Sequence, residues 1–150
     1  MYIQTILLRL LPPSLRRSAS PARIAVAAEF VRFGLVGLVG LVIDTATVYA
    51  TRGTLGLYGA GIVAYFAAAT VNWALNRSFT FRGRGSGPMH RQWAMFLTTN
   101  LLGFVLNRSV YALLVTFMPL AAAQPVIATS AGAIAGMFVN FGVSRRLVFR

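Results

Sequence analysis

Few residues of this 150-residue chain carry groups that could do chemistry. The two carboxylates are Glu29 and Asp44, the single histidine is His90, and there is no cysteine. Thiol nucleophiles, disulfides and Cys-ligated metal sites are therefore excluded. No nucleophile–base pair, metal-ligand cluster or phosphate-binding loop can be assembled from the remaining residues. The sequence predicts a protein that is not an enzyme and that has no cofactor.

Composition indicates a membrane protein. Hydrophobic residues make up 57% of the chain and charged residues 11%, whereas soluble domains have about 25% charged residues. All fourteen basic residues are arginines, and they flank apolar runs instead of forming a stripe along a polar helix. This arrangement predicts contact with membrane lipid and argues against nucleic acid as a partner.

Four apolar segments approach the ~20 residues that are needed to cross a bilayer. They cover about residues 30–50, 57–75, 93–117 and 121–143. We therefore predict an all-α membrane protein whose four transmembrane helices form a domain of residues 30–150. Residues 1–29 are predicted to form an amphipathic arm at the cytoplasmic membrane surface, and residues 51–56 a short loop between the first two helices.

The positions of the arginines predict the orientation of the helices. Twelve of the fourteen fall on one side of the predicted spans. They are Arg9, Arg16, Arg17, Arg23, Arg32, Arg77, Arg82, Arg84, Arg91, Arg145, Arg146 and Arg150. Because cytoplasmic loops are enriched in basic residues, both termini are predicted to be cytoplasmic. The protein is expected to be a multi-pass protein of the cell inner (cytoplasmic) membrane.

The chain contains an internal sequence repeat. Residues 71–82 align with residues 139–150 at an offset of 68, and an offset of 63 matches Asp44 with Asn107. The four helices are therefore predicted to form two tandem hairpins with the same orientation. Small residues line one face of these helices, and the Gly132/Gly136 pair is a candidate contact within the bundle or between subunits of an expected homo-oligomer.

The carboxylate Asp44 lies about 18 Å along its helix from Arg32, near the middle of the membrane. Intramembrane acids are commonly functional, so Asp44 could face a substrate or exchange a proton. The alternative is an internal contact with Asn107 or Arg108 that sets the register of the helices. Arg108 could in turn pair with Asp44 or extend toward the outer surface.

A second polar group lies near the cytoplasmic ends of the second and fourth helices. Asn72, Asn76 and Arg77 lie in the first repeat, and Asn140 and Arg145 in the second. Their amides could bridge helices while their arginines only follow the charge rule. Alternatively, the guanidinium groups bind a phosphate bidentately and the amides bind hydroxyl groups.

Aromatic residues near the predicted membrane interfaces are explained as anchors at the level of the lipid headgroups. They are Trp73, Phe79, Phe81, Trp93 and Phe149.

From Arg32 onward the chain resembles the GtrA-like family of small membrane proteins with four helices. The matching patterns are R-F-x-x-V-G at 32–37, N-x-x-x-N-R-x-x-T-F-R at 72–82 and N-x-x-x-x-R-x-x-V-F-R at 140–150. The chain departs from the family at Gly40-Leu41, where Asn-Thr is frequent, and at Ser144, where a second Asn is frequent.

The resemblance implies a role in the synthesis of cell-surface polysaccharide or glycolipid. Proteins of this kind are proposed to flip a polyprenyl-phosphate-linked monosaccharide across the cytoplasmic membrane, which makes that lipid the expected ligand. The candidate ligand-binding residues are Arg32, Asp44, Asn72, Asn76, Arg77, Asn107, Arg108, Asn140 and Arg145.

An alternative function is a membrane anchor that recruits a glycosyltransferase to its lipid-linked substrate. The arm, the middle loop and the C-terminus would supply its docking surface, and Asp44 would have no purpose in it. A four-helix exporter of cations is a third possibility, but the many arginines favour an anionic ligand.

Overall fold

The computed structural model describes residues 20–84 and 87–150, together with Ile3, Thr5 and Ile6. A few side chains within these ranges lie outside the described part. They are those of Leu57, Tyr58, Arg108, Tyr111, Pro125, Val126 and Thr129. Every regular element between residues 20 and 84 and between 87 and 150 is a helix, which confirms the all-helical fold.

The helices follow one another with short connections. In chain order they are α1 (Pro21–Leu75), α2 (Met89–Phe117), α3 (Pro119–Ala123) and α4 (Pro125–Val143). Two π-helical turns extend α1 and α4, at Asn76–Thr80 and at Ser144–Val148. The two turns lie 68 residues apart, which equals the offset of the sequence alignment.

Helix α1 begins at Pro21, inside the predicted arm. The Ser20 side chain accepts a hydrogen bond from the Arg23 backbone N–H at 3.3 Å, and a proline in the first turn has no N–H to leave unpaired. The predicted boundary between residues 29 and 30 therefore falls inside a helix. Of residues 1–19, only Ile3, Thr5 and Ile6 belong to the described residues, and the predicted arm lies largely outside them.

The predicted loop at residues 51–56 is wrong, because α1 stays helical as far as Gly56. The hydroxyl groups of Thr51 and Thr54 donate hydrogen bonds to backbone carbonyl oxygens one turn earlier, at 2.7 and 3.1 Å, so these polar side chains are satisfied within the helix. The chain breaks at Gly56, with φ 67° and ψ 175°, a region open essentially only to glycine. We call Pro21–Gly56 the first limb of α1 and residues 57–75 the second limb.

Glycines let α2 and α4 approach each other at backbone distance. A Cβ atom at Gly132 would lie 2.5 Å from the carbonyl oxygen of Asn107, and one at Gly136 would lie 2.8 Å from that of Gly103. Close packing of small residues is a principal means of helix association in lipid. The Gly132/Gly136 pair is therefore covered by α2 of the same chain, and its predicted contact with a second subunit is wrong.

Large apolar side chains point outward along the long helices. They include Leu38, Leu41, Val42, Ile62, Leu102, Val105, Ile134 and Phe138. Apolar surface on this scale is typical of a lipid-facing surface. Within the described residues, the first limb of α1 and helix α2 are long and apolar enough to cross a membrane. The crossing of the second limb and α4, and the cytoplasmic position of the termini, stay predictions.

The buried core is a cluster of aromatic side chains near the two π-helical turns. Phe33, Phe81, Phe96, Phe141 and Phe149 form it, and the rings of Phe81 and Phe149 stack with centroids 4.8 Å apart. The prediction that Phe81 and Phe149 are interface anchors is wrong, since they are 1% and 0% exposed. Each directly follows a π-helical turn, whose extra residue changes the direction of the side chains that come after it.

Candidate functional site

A cavity of about 420 Å³ lies between the two limbs of α1 and helices α2 and α4. Five of the predicted site residues line it, although they are distributed over the whole sequence. They are Asp44, Asn72, Asn76, Asn107 and Asn140. Asn100 and Tyr65, which were not among the predicted site residues, also line the cavity. For Asn100 a signal existed, because it is a polar residue on the same apolar helix as Asn107.

Two asparagines of the cavity lie directly against glycines. The Asn72 side chain covers the backbone of Gly40, and the Asn140 side chain covers the backbone of Gly103, so closely that a Cβ atom on either glycine would overlap the amide. The same Gly–Asn contact therefore occurs once within α1 and once between α2 and α4. Because the first contact joins residues in different limbs, it also establishes that the limbs lie side by side.

The amide oxygens of three cavity asparagines have no hydrogen-bond partner among the described residues. The Oδ1 atoms of Asn72, Asn76 and Asn140 are buried and accept no hydrogen bond from the described residues. The nearby hydroxyl oxygens of Thr80 and Ser144 are in the same situation. An unsatisfied buried acceptor costs about 1–3 kcal/mol.

The carboxylate of Asp44 lines the same cavity and is half-buried. Among the described residues it forms no hydrogen bond or ion pair, so the predicted contact with Asn107 is not formed. The Arg108 side chain lies outside the described residues. Its pairing with Asp44, and its role as a ligand-binding residue, therefore stay predictions.

Of the predicted basic residues, the three whose side chains the structure describes, Arg32, Arg77 and Arg145, do not line the cavity. Arg32 lies over the ring of Phe79, 5.7 Å from its centroid. Arg77 and Arg145 are bound to two buried polar side chains near the aromatic core. The structure thus separates the amides and the carboxylate of the predicted site from these three arginines.

One of these buried side chains is Glu29, which sequence analysis left without a role. Its carboxylate forms ion pairs with Arg84 (Nη2 to Oε1, 2.7 Å) and Arg145 (Nε to Oε2, 2.8 Å). The carboxylate is only 10% exposed. We call these three residues the Glu29 cluster. One signal in the sequence could have predicted the Glu29 cluster: Glu29 is the single acid in an N-terminal flank whose other charged residues are all arginines.

The other buried side chain is Gln92, near the start of α2. Its Oε1 accepts hydrogen bonds from Arg77 and from the Trp73 indole at 3.2 Å. Its Nε2 donates to the carbonyl oxygen of Val148 at 3.1 Å. Gln92 therefore joins the second limb, α2 and the C-terminal π-helical turn through one amide group.

Comparison with known families accounts for most of the chain. A family described as GtrA/DPMS, transmembrane domain, matches residues 32–150. The chain belongs to this family. A search of curated proteins finds no match.

Membership in the GtrA/DPMS family confirms the resemblance and the assignment as a membrane protein. It also connects the protein to glycolipid or polysaccharide synthesis. The GtrA/DPMS match includes every cavity-lining residue, both π-helical turns and Arg145, whereas Glu29 precedes it.

Proposed function

We propose that this GtrA/DPMS protein flips a polyprenyl-phosphate-linked monosaccharide across the cytoplasmic membrane for the synthesis of cell-surface polysaccharide or glycolipid. The observation that carries the proposal is a cavity that contains five asparagines and the carboxylate of Asp44, between helices whose outer surfaces are apolar. Polar groups within a membrane are costly and are commonly kept for a transport pathway.

The cavity suits a monosaccharide. Its volume of about 420 Å³ lies within the about 300–1,000 Å³ that is common for small-ligand sites. If the Asn72 and Asn140 side chains rotate toward the cavity, sugar hydroxyls can donate hydrogen bonds to their Oδ1 atoms and accept them from their amide nitrogens. The lining has one carboxylate and no basic side chain among the described residues, so the sugar ring occupies it and the phosphate does not.

The polar groups of the cavity form successive levels. Asn72 lies beside Gly40, and Asp44 follows Gly40 by one helical turn, or about 6 Å. Asn140 lies beside Gly103, and Asn107 follows by the same step. A sugar that leaves the asparagine level therefore meets the level of Asp44 and Asn107 next, which gives it hydrogen-bonding partners at two successive depths.

In this proposal, the phosphate of the lipid binds at the end of the helix bundle that carries most of the arginines. Arg77 directly follows the cavity residue Asn76, and Arg32 directly precedes the cavity residue Phe33. Guanidinium groups bind phosphate oxygens in a bidentate manner. The prenyl chain would remain in the bilayer against the exposed apolar side chains.

A flipping assay in proteoliposomes tests the proposal. The probe is a short-chain polyprenyl-phosphate sugar, and the proteins are the wild type, Asp44→Asn, Arg77→Ala and the control Arg146→Ala, which removes an exposed arginine. We expect movement with the wild type and Arg146→Ala, and a loss of at least about tenfold with the two site variants.

Movement no faster than in empty liposomes, across several sugars, would contradict flipping and favour the glycosyltransferase anchor. Deletion of residues 1–23 separates the two functions further. It should leave flipping intact but disable an anchor that docks through its basic arm.

A further inference from the structure

The Glu29 cluster joins two guanidinium groups to one carboxylate at the arginine-bearing end of the bundle. We propose that Arg84 and Arg145 form a binding site for a phosphate group, and that Glu29 is an internal ligand which the phosphate replaces. The inference rests on the proposed function for the identity of the phosphate carrier, a polyprenyl-phosphate lipid.

Arg84 and Arg145 surround the Glu29 carboxylate in the way that guanidinium groups surround a bound phosphate. Arg84 reaches both oxygens of Glu29, with Nη2 2.7 Å from Oε1 and Nη1 3.4 Å from Oε2. Arg145 donates from Nε to Oε2 at 2.8 Å. A phosphodiester offers two anionic oxygens on one atom, as a carboxylate does, and guanidinium groups bind both in the same forked manner.

Solvent exposure and charge both favour replacement of the Glu29 carboxylate by a phosphate. The side chains of Arg84 and Arg145 are 39% and 33% exposed, whereas Glu29 is 10% exposed. An incoming anion can therefore reach the arginines. Asp44 is the other acid of the sequence, and it lines the cavity, so Glu29 is the acid that faces these guanidinium groups. Other exposed arginines, such as Arg82 and Arg150, add a positive potential that attracts the anion.

Replacement of Glu29 would also loosen the end of the bundle. Glu29 belongs to α1, Arg84 to the segment before α2, and Arg145 to the π-helical turn after α4. One carboxylate thus connects three parts of the chain. Phe33, one turn after Glu29, lines the cavity, so release of Glu29 couples phosphate binding to movement at the cavity wall.

The test measures binding of a short-chain polyprenyl phosphate without a sugar to the purified full chain in nanodiscs of uncharged lipid. Glu29→Gln should bind it about tenfold more tightly, because charge-assisted hydrogen bonds within the cluster no longer compete. Arg84→Gln and Arg145→Gln should bind it at least about tenfold more weakly. The matched control, Arg146→Gln, removes the same charge one residue away and should change the affinity by less than about twofold.

Two competition experiments identify the source of the phosphate. Inorganic phosphate and nanodiscs that contain phosphatidylglycerol are added as competitors. Displacement of the probe only by polyprenyl phosphate indicates the carrier lipid, whereas equal displacement by phosphatidylglycerol overturns the carrier and leaves a site for phospholipid headgroups.

A purely structural ion-pair cluster gives a different pattern. Glu29→Gln would then lower the unfolding temperature without tightening the binding of the probe, and this result would overturn the inference. If Glu29→Gln did not fold, equal affinities of the wild type, Arg84→Gln and Arg145→Gln would overturn it as well. Because binding of the sugar-free probe is measured independently of flipping, tighter binding by Glu29→Gln together with no flipping by the wild type contradicts the proposed function alone.

Discussion

The individual side chains of the cavity combine two properties that rarely occur together in a stable protein. Asn72 and Asn140 are held firmly against glycine backbones, yet their amide oxygens have no partner among the described residues. Asn100, in the same cavity, donates its amide hydrogen bond to the carbonyl oxygen of Phe96 at 2.7 Å. Two kinds of asparagine therefore line one cavity: Asn100 forms a hydrogen bond within its own helix, and Asn72 and Asn140 each have a buried acceptor that no described residue satisfies.

This difference predicts opposite effects on stability and on function. Asn72→Leu and Asn140→Leu remove an unsatisfied acceptor, so the free energy of unfolding should stay the same or rise by about 1 kcal/mol, while flipping falls at least about tenfold. Asn100→Leu loses a formed hydrogen bond and should not become more stable. Denaturation in detergent and the proteoliposome assay measure the two effects, and a loss of stability in both Asn72→Leu and Asn140→Leu would contradict a ligand-binding role.

Helical periodicity predicts five of the polar cavity residues, Asp44 and four asparagines, because these residues are polar exceptions on apolar faces. Glu29 and Gln92 were not predicted. Each lies where a polar residue is ordinary, near the end of a span, and its importance comes from contacts with residues more than fifty positions away, such as Arg84, Arg145 and Val148. Such contacts leave no periodic signal in a single sequence.

At the scale of the helices, small residues decide where segments meet and where they bend. Gly132 and Gly136 bring α2 and α4 into backbone contact, and Gly56 ends the first limb without a loop. The sequence predicted the small faces but not their partner, since a stripe of glycines does not specify which helix covers it. The sequence does not predict the π-helical turns, because no residue type in them marks the extra residue per turn.

The glycines of α4 permit a matched test of this packing. Gly132→Ala would press a methyl group against a backbone oxygen and should lower the free energy of unfolding by about 1–3 kcal/mol. Gly142→Ala introduces the same methyl group into open space and should be neutral or stabilising by up to about 1 kcal/mol, through its better helix propensity. Chemical denaturation in detergent compares the two, and equal effects would contradict the close contact of α2 and α4.

The whole molecule combines an apolar outer surface with one strongly basic end. The exposed apolar side chains fit lipid along the length of the helices, while the Glu29 cluster and the aromatic core lie at the basic end. The charge pattern predicted this polarity of the molecule. The expected homo-oligomer stays a prediction, and its contact surface must lie elsewhere than on Gly132 and Gly136.

The absence of cysteine from the sequence makes the orientation testable with single-cysteine variants. Ser78 is exposed near the basic end, whereas Thr54 and Gln124 are exposed at the opposite connections. In intact cells, a membrane-impermeant thiol reagent should label Thr54→Cys and Gln124→Cys, and it should label Ser78→Cys only after permeabilisation. The cysteine-free wild type is the control, and labelling of Ser78→Cys in intact cells would reverse the predicted topology.

The break at Gly56 determines how much of the protein is exposed on the outer side of the membrane. In the predicted orientation, the outward-facing connections are this one-residue bend and the short segment Met118–Gln124. Proteases on the outer side of the membrane would therefore find very little polypeptide to cut.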